Sequence, residues 1–402
     1  MNVPLYRKQL LLLFSGTIIL LFVGLIYAWS IIALPLEQEF SWTRDKTSLV
    51  FVAVMVFFTG GLILTGFISQ YVSPKICLRI SGLLIFAGFA TASHVHTIAG
   101  MCFSYSLFCG LGIGITYNTV LSTTLLWFPE RTGFASGFLL GGFGLSSFVF
   151  GPIVSFLLNS GFGWRRSFFA LGIMYLVLIL FESFLIEKPR KQADTGDAAE
   201  EEGGRNYLPS ELLRSGLFRR FFLWGTLLGS CTLNITGIGA LFASDMGAGA
   251  MLAAAALGFI SIGSGCGRIG MGFFYDCFGR KYSMVLMISL LFAGILPLIC
   301  VFFLHSYFLV FTGFFLTGLA GGSLPTIYSC VCKKYFGAKH FSYNIALFNS
   351  TNFPCVFLGN FVGGIIRTLT GSYLPVFVGM AGFCILAFFV QLWLERKLGF
   401  HI

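Results

Sequence analysis

The sequence predicts an all-α membrane protein of twelve transmembrane helices in two six-helix bundles, and three observations carry that reading. Of 402 residues, 57% are hydrophobic and only 10% charged, against roughly 45–50% apolar content in soluble domains, which excludes a soluble globular chain. The apolar residues run unbroken through stretches such as 10–34 and 285–304, whereas an outer-membrane barrel alternates apolar and polar positions in stretches of about ten residues. The longest polar stretch, 188–220, separates six such runs from six.

A spanning helix needs about 20 apolar residues, and a sliding hydropathy window places spans near 10–34, 47–70, 78–97, 99–126, 132–158, 166–187, 220–244, 248–274, 282–304, 306–332, 340–366 and 372–394. The first run follows Arg7 and Lys8, as in a signal peptide. It lasts about 25 residues without a small-x-small cleavage site, so it is expected to stay as the first helix. With the N-terminus in the cytoplasm, the inner side holds Arg7, Lys8, Lys75, Arg79, Arg131, the basic residues of 188–220, Arg280, Lys281, Lys333, Lys334, Lys339, Arg396 and Lys397. That is 19 of the 25 Lys and Arg. Arg44, Lys46, Arg165, Arg166 and Arg367 fall outside. The positive-inside rule therefore puts both termini in the cytoplasm, and a bacterial plasma membrane is the expected location.

A formal net charge of +10 would suggest nucleic acid in a soluble protein, but here it is an asymmetry of loops, and no nucleic-acid partner is expected. Eleven cysteines are an odd number, and Cys102, Cys109, Cys231, Cys300 and Cys384 sit inside apolar runs, as small packing residues with reduced thiols. Cys330 and Cys332, two apart, fit neither a zinc knuckle nor a redox pair; no metal or cofactor is expected. The mixture of charge, Gly and Pro in 188–219 reads as a linker or a surface amphipathic helix. It joins an N-terminal bundle, 1–187, to a C-terminal bundle, 220–402. A single chain holding both bundles suffices as a monomer.

The two halves align at an offset of about 206 to 210 residues, the kind of repeat sought before any motif. The anchor is the loop after the second span of each half: Gly66-Phe-Ile-Ser-Gln70-Tyr-Val-Ser-Pro-Lys75 against Gly272-Phe-Phe-Tyr-Asp276-Cys-Phe-Gly279-Arg280-Lys281. Gly61 then pairs with Gly267, Gly110-Leu111 with Gly318-Leu319, and Phe128 with Phe336. The second loop resembles the G-x-x-x-D-x-x-G-R-K signature of the major facilitator superfamily, and the six-plus-six layout extends the resemblance over the whole chain. It implies the major facilitator fold and a gating role for Gly272, Asp276, Arg280 and Lys281. Asp276 would cap or pair near neighbouring helix ends, with Arg280 and Lys281 anchoring the inner face; plain helix capping without gating is the alternative. In the first-half copy Gln70 replaces the acid and Ser73-Pro74 replace Gly-Arg, so that latch is expected to be weaker or absent.

Several stretches resemble the oxalate:formate antiporter family and its monocarboxylate-transporter relatives. They are Tyr27-Ala-Trp29-Ser, Gly110-Leu-Gly112-Ile-Gly114-Ile-Thr-Tyr117-Asn118, Trp127-Phe-Pro-Glu-Arg131 with Gly133 and Gly137, and Gly267-Arg268. In the oxalate carriers a lysine in the eleventh span helps balance the second charge of the dianion. Here the corresponding stretch, Ala346-Leu-Phe-Asn349-Ser-Thr-Asn352-Phe-Pro354-Cys355, has none.

A charge inside a span is costly and marks a pathway or a pair. Arg268 stands eight residues before Asp276, about 12 Å deeper at 1.5 Å per residue, while its repeat mate is Leu62; the shared scaffold does not require it. It would bind substrate, snorkel to the inner interface, or pair with Glu182. Its planar fork matches a carboxylate with two parallel hydrogen bonds, and one cation suits one negative charge. Tyr117, Asn118, Tyr328, Asn349 and Asn352 lie at comparable depth and Tyr27 nearer the outer side, where each would either line the site or bond between helices. Tyr117 and Asn118 are neighbours about 100° apart on a helix, so both squarely facing one cavity is not expected. The glycines of the fifth span, Gly133, Gly137, Gly141, Gly142, Gly144 and Gly151, read as close helix packing, with bending as a second role.

The expected function is alternating-access transport of a small organic anion, most simply a monocarboxylate of the lactate, pyruvate, formate or acetate type, by proton symport or anion exchange. A dicarboxylate antiporter and a flux-free sensor are the alternatives. An enzyme would need a nucleophile and base or a metal cluster at depth, yet His94, His96, His305, His340 and His401 all fall in loops or at span ends.

Overall fold

The computed structural model describes residues 5–159, 163–189, 206–246 and 250–398, and all regular structure among them is helical. Helices α1 (Leu5–Val23) and α2 (Trp29–Phe40) make the first span, α3 (Arg44–Ile68) the second and α4 (Pro74–Ala92) the third. The fourth joins α5 (Ile98–Met101) to α6 (Gly110–Leu125), the fifth is α7 (Thr132–Asn159) and the sixth α8 (Gly163–Leu185). Beyond the linker come the short α9 (Pro209–Arg214), then α10 (Gly216–Asp245), α11 (Ala250–Leu304) and α12 (Tyr307–Phe336). Three pieces, α13 (Phe341–Asn349), α14 (Asn352–Val356) and α15 (Gly363–Thr370), make the eleventh span, and α16 (Leu374–Leu398) the twelfth.

Among the described residues, eleven helices are long and apolar enough to cross a membrane. One of them, Gly258–Leu304, has 47 residues, which at 1.5 Å per residue is more than twice a hydrocarbon core of about 30 Å. Gly279, at φ 75° and ψ −176°, breaks it into the eighth and ninth spans. This is a left-handed backbone that glycine adopts without a Cβ clash. The first-half loop turns differently: Ser73 is extended at φ −67°, ψ 149°, and Pro74 opens α4, where its fixed φ suits the first helical turn.

Three spans that the hydropathy profile draws as straight are broken. The first tightens at Gly24–Ala28, where a Cβ on Gly24 would stand 2.4 Å from the Phe143 carbonyl oxygen, so α1 and α7 touch backbone to backbone. The fourth widens to a π-helix over Cys102–Cys109. The eleventh tightens to a turn at Ser350 and Thr351, both still at right-handed helical dihedrals, then widens over Phe357–Val362. Such interruptions follow from local packing that an average over many residues does not record.

At the outer end of α2, Glu39 accepts hydrogen bonds from Trp164 Nε1 and from Arg165 Nη2, while Arg165 Nη1 donates to the Ser93 carbonyl at 2.8 Å. The indole hydrogen bond, seconded by Arg165, holds the Glu39 carboxyl below its ordinary value of 4.5. A lowered folded value means that this clasp contributes above the unfolded carboxylate range and is lost as pH falls through the folded value. Acidification below about pH 4.5 should therefore release Trp164, seen as a fluorescence transition that is absent in Glu39→Gln.

The two halves meet along two seams, α7 against α11 and α3 against α13. Both are tightest on the face that the Lys and Arg excess marks as inner. There a Cβ on Gly272 would stand 2.2 Å from the Gly133 carbonyl oxygen, and one on Gly66 would stand 2.7 Å from Tyr343 Cα.

Candidate functional site

Arg268 is 6% exposed and crosses the seam from α11 into the first half. Its Nη1 donates to the Leu140 carbonyl of α7 at 2.8 Å, and its guanidinium lies 5.6 Å from the centroid of the Phe143 ring. Gly144 makes the bed, since a Cβ there would be 2.9 Å from Nη1. Around Phe143 stand Tyr27 at 5.4 Å, Tyr117 at 5.0 Å and Phe58 at 6.1 Å between ring centroids. Both phenols feel the guanidinium charge, and the Tyr27 hydroxyl is in hydrogen-bonding contact with it.

Among the described residues this charge has no carboxylate partner, and its Nε has no hydrogen-bond partner. Glu182, the acid that sequence reasoning offered as its mate, instead accepts from Ser15 Oγ at 3.1 Å between α8 and α1. A guanidinium held by one backbone carbonyl and aromatic faces retains unused donors. A carboxylate could take them with a large electrostatic gain in so dry a place.

The other polar candidates divide. Tyr27 and Tyr117 gather at Arg268; Asn118 does not. Its Nδ2 donates to the Leu62 carbonyl at 2.8 Å and to the Ser342 carbonyl of α13 at 2.9 Å, and its Oδ1 accepts from Ser342 Oγ. Of the two roles open to it, lining the site or bonding between helices, Asn118 takes the second as a clip between halves, one residue's step along α6 turning it about 100° away from Tyr117. Tyr328 sits within the second half, its ring 5.1 Å from Phe348 and its hydroxyl against Gly225 with no hydrogen-bond partner. Asn349 donates back to Ile345 of its own helix at 3.0 Å, and half-buried Asn352 opens α14 beyond the turn at Ser350 and Thr351. These three cluster on the eleventh span's break rather than on the guanidinium.

On the inner side of Arg268 the halves are fastened. The Asp276 carboxylate accepts from the Gly133 amide at 2.9 Å and from the Phe134 amide at 2.7 Å, capping the positive end of α7 across the seam. Lys333 Nζ donates to the carbonyls of Leu125 and Phe128 at 2.8 and 3.1 Å. Arg280 instead holds Glu395 of α16 with two parallel bonds of 2.7 and 2.8 Å, and its Nε donates to the Tyr335 hydroxyl at 3.0 Å. The Lys281 carbonyl accepts from Gln391. Both of these residues tie the loop to its own half. Where the first-half loop lacks its acid, an aromatic contact stands in: Tyr343 packs edge-on against Phe67 at 4.4 Å. The site is closed toward the inner face. Asp276→Asn keeps the shape but turns an amide donor toward two amides. By the usual worth of a helix cap it should loosen this closure by about 0.5–2 kcal/mol, read as faster hydrogen exchange around Gly133 and Phe134.

Sequence reasoning missed Phe58, Phe143 and the Leu140 carbonyl. Gly144, read as a packing or bending position, was the available signal: a small residue opposite an intramembrane arginine leaves room for its head group.

A family model described as Major Facilitator Superfamily matches residues 13–299 and 242–399. The chain is 26% identical over 358 residues to an oxalate:formate antiporter of Oxalobacter formigenes, covering 87% of this chain and 82% of that protein. It is 26% identical over 321 residues to monocarboxylate transporter 13 of Bos taurus, covering 80% and 73%. Among solved structures it is similar to FucP, a major facilitator superfamily transporter captured in the outward conformation, with a TM-score of 0.74 and 13% identity over 97% of this chain and all of that one. With twelve spans, an internal repeat and a model match from end to end, this chain belongs to the Major Facilitator Superfamily of transporters.

Proposed function

We propose that the protein is a secondary transporter of small organic anions, most simply monocarboxylates, and that Arg268 receives the substrate carboxylate. The observation that carries this is a buried guanidinium with spare donors and no carboxylate partner among the described residues, set between two phenols and two phenylalanines. The rings surround the guanidinium with apolar faces, which suits a short acid with one charged end. The stretch opposite offers Asn349, Ser350, Thr351 and Asn352 in place of a lysine, so one fixed charge meets one negative charge. The oxalate:formate antiporter and the monocarboxylate transporter among its relatives support an acid substrate.

The test is counterflow in proteoliposomes with labelled formate, acetate, lactate, pyruvate and oxalate. Monocarboxylates should exchange and oxalate should not. Preference for oxalate would replace this reading with dicarboxylate antiport, and a protein that binds acids without flux would be a sensor. Uptake driven by an imposed pH gradient, with no anion inside, would assign proton symport; uptake that needs an internal anion would assign exchange.

A further inference from the structure

The inner face holds a second place for an anion, and the internal repeat shows why. In the α7–α11 seam, Asp276 lays its carboxylate on the amides that open α7. The repeat carries Asp276 onto Gln70 and the opening of α7 onto the opening of α13, at Phe341 and Ser342. In that second seam no side-chain carboxylate reaches the helix end among the described residues. A cavity of about 160 Å³ lies there instead, lined by Gln70, Thr119, Lys188, Lys339, His340 and Ser342.

The lining is built for negative charge. Lys188 and Lys339 have no carboxylate partner among the described residues. The Thr119 side chain is 3% exposed, with its hydroxyl in reach of the Cys77 thiol, and His340 Nδ1 has no hydrogen-bond partner among the described residues. Glu211 acts electrostatically on His340, but its carboxylate is engaged in capping α9 at the Leu208 amide. The volume admits a small oxyanion; at the start of α13 the Phe341 and Tyr343 amides already donate to the Ala338 and His340 carbonyls, so this helix end contributes its partial positive charge rather than a pair of free amides such as Asp276 caps in the other seam.

We infer that this cavity binds a small oxyanion, a carboxylate or phosphate group, which does for the α3–α13 seam what Asp276 does for the α7–α11 seam. The walls come from both halves: Gln70, Thr119 and Lys188 from one side, Lys339, His340 and Ser342 from the other. The site is therefore whole only while the inner face is closed. A ligand that binds one of two states shifts the population toward it, so an anion on the inner side holds the transporter closed to that side. This places a regulatory site apart from Arg268 and independent of which acid is carried.

Inorganic phosphate is the probe, titrated onto the purified full-length protein against chloride at equal ionic strength, with the thermal unfolding midpoint as readout. A saturable rise is expected in the wild type and in Arg268→Gln. It should vanish in the Lys188→Gln/Lys339→Gln double variant, whose changes are at exposed positions. Gln70→Asp supplies the missing carboxylate from within, so its midpoint should be raised without phosphate and should not respond to it. Three results would overturn the inference: no phosphate-specific rise in the wild type, a rise that survives loss of both lysines, or one that disappears in Arg268→Gln. Repeating the measurement in nanodiscs of phosphatidylcholine, with and without phosphatidylglycerol, identifies the source. A lysine-dependent rise produced by phosphatidylglycerol alone assigns the oxyanion to a lipid headgroup, and one that needs added phosphate assigns it to a free anion.

Discussion

Replacing Arg268 with glutamine is expected to abolish measurable monocarboxylate counterflow while leaving a folded protein. Removing one partner of a buried, hydrogen-bonded charge pair costs about 2–5 kcal/mol, at least about 30-fold in substrate affinity at 1.4 kcal/mol per factor of ten. The fold should tolerate the change because, among the described residues, Arg268 leaves behind no orphaned carboxylate; it donates to the Leu140 carbonyl, which a glutamine amide can also serve. Arg268→Lys keeps the charge but loses the planar fork, so its flux should fall between wild type and glutamine. The two substitutions separate charge from geometry: equal losses in both would mean that the bidentate fit dominates, and near-normal flux in lysine would mean that a point charge suffices. Anion transport at the normal rate in Arg268→Gln would remove the site from its proposed place.

Arg268 and Asp276 were legible in the sequence because each breaks a rule that lipid enforces everywhere around it. A charge within a span has few inexpensive explanations, and the repeat supplied an internal control in Leu62 and Gln70. The twelve spans were legible for the same reason, since hydropathy records the demand that each crossing satisfy its own backbone. What lay beyond reach was orientation within a helix. Asn118 and Tyr117 are adjacent at the same depth, yet one clips Ser342 across the halves and the other faces the guanidinium; that difference is decided by packing partners distant in sequence. The Leu140 carbonyl carries no side-chain signature, and the turn at Ser350 and Thr351 occurs inside a run that remains apolar on average.

The same seam that positions Arg268 gives the sharpest test of how the inner face closes. A Cβ at Gly272 would stand 2.2 Å from the Gly133 carbonyl oxygen and 3.1 Å from Gly137 Cα. Its neighbours there are backbone atoms, which cannot rotate aside as a side chain would, so Gly272→Ala must push α7 and α11 apart. Overpacking typically costs about 1–3 kcal/mol, and the two states of a transporter differ by only a few kcal/mol. A cost of about 3 kcal/mol moves the equilibrium by roughly two orders of magnitude. The separation would also stretch the Asp276 cap on Gly133 and Phe134 and the Arg268 bond to Leu140, both of which bridge this pair of helices. Gly272→Ala should therefore rest open to the inner face, with fast hydrogen exchange across 132–137 and 338–343 and sharply reduced flux. Gly270 is the control: it lies two residues away on the same helix, and a Cβ there meets nothing within 4 Å. Gly270→Ala should transport normally and gain about 0.5–1 kcal/mol of helix stability. If both variants exchange and transport alike, the closure does not depend on the glycine crossing, and its strength must come from the Asp276 and Lys333 bonds, the Asn118–Ser342 clip and the Tyr343–Phe67 contact.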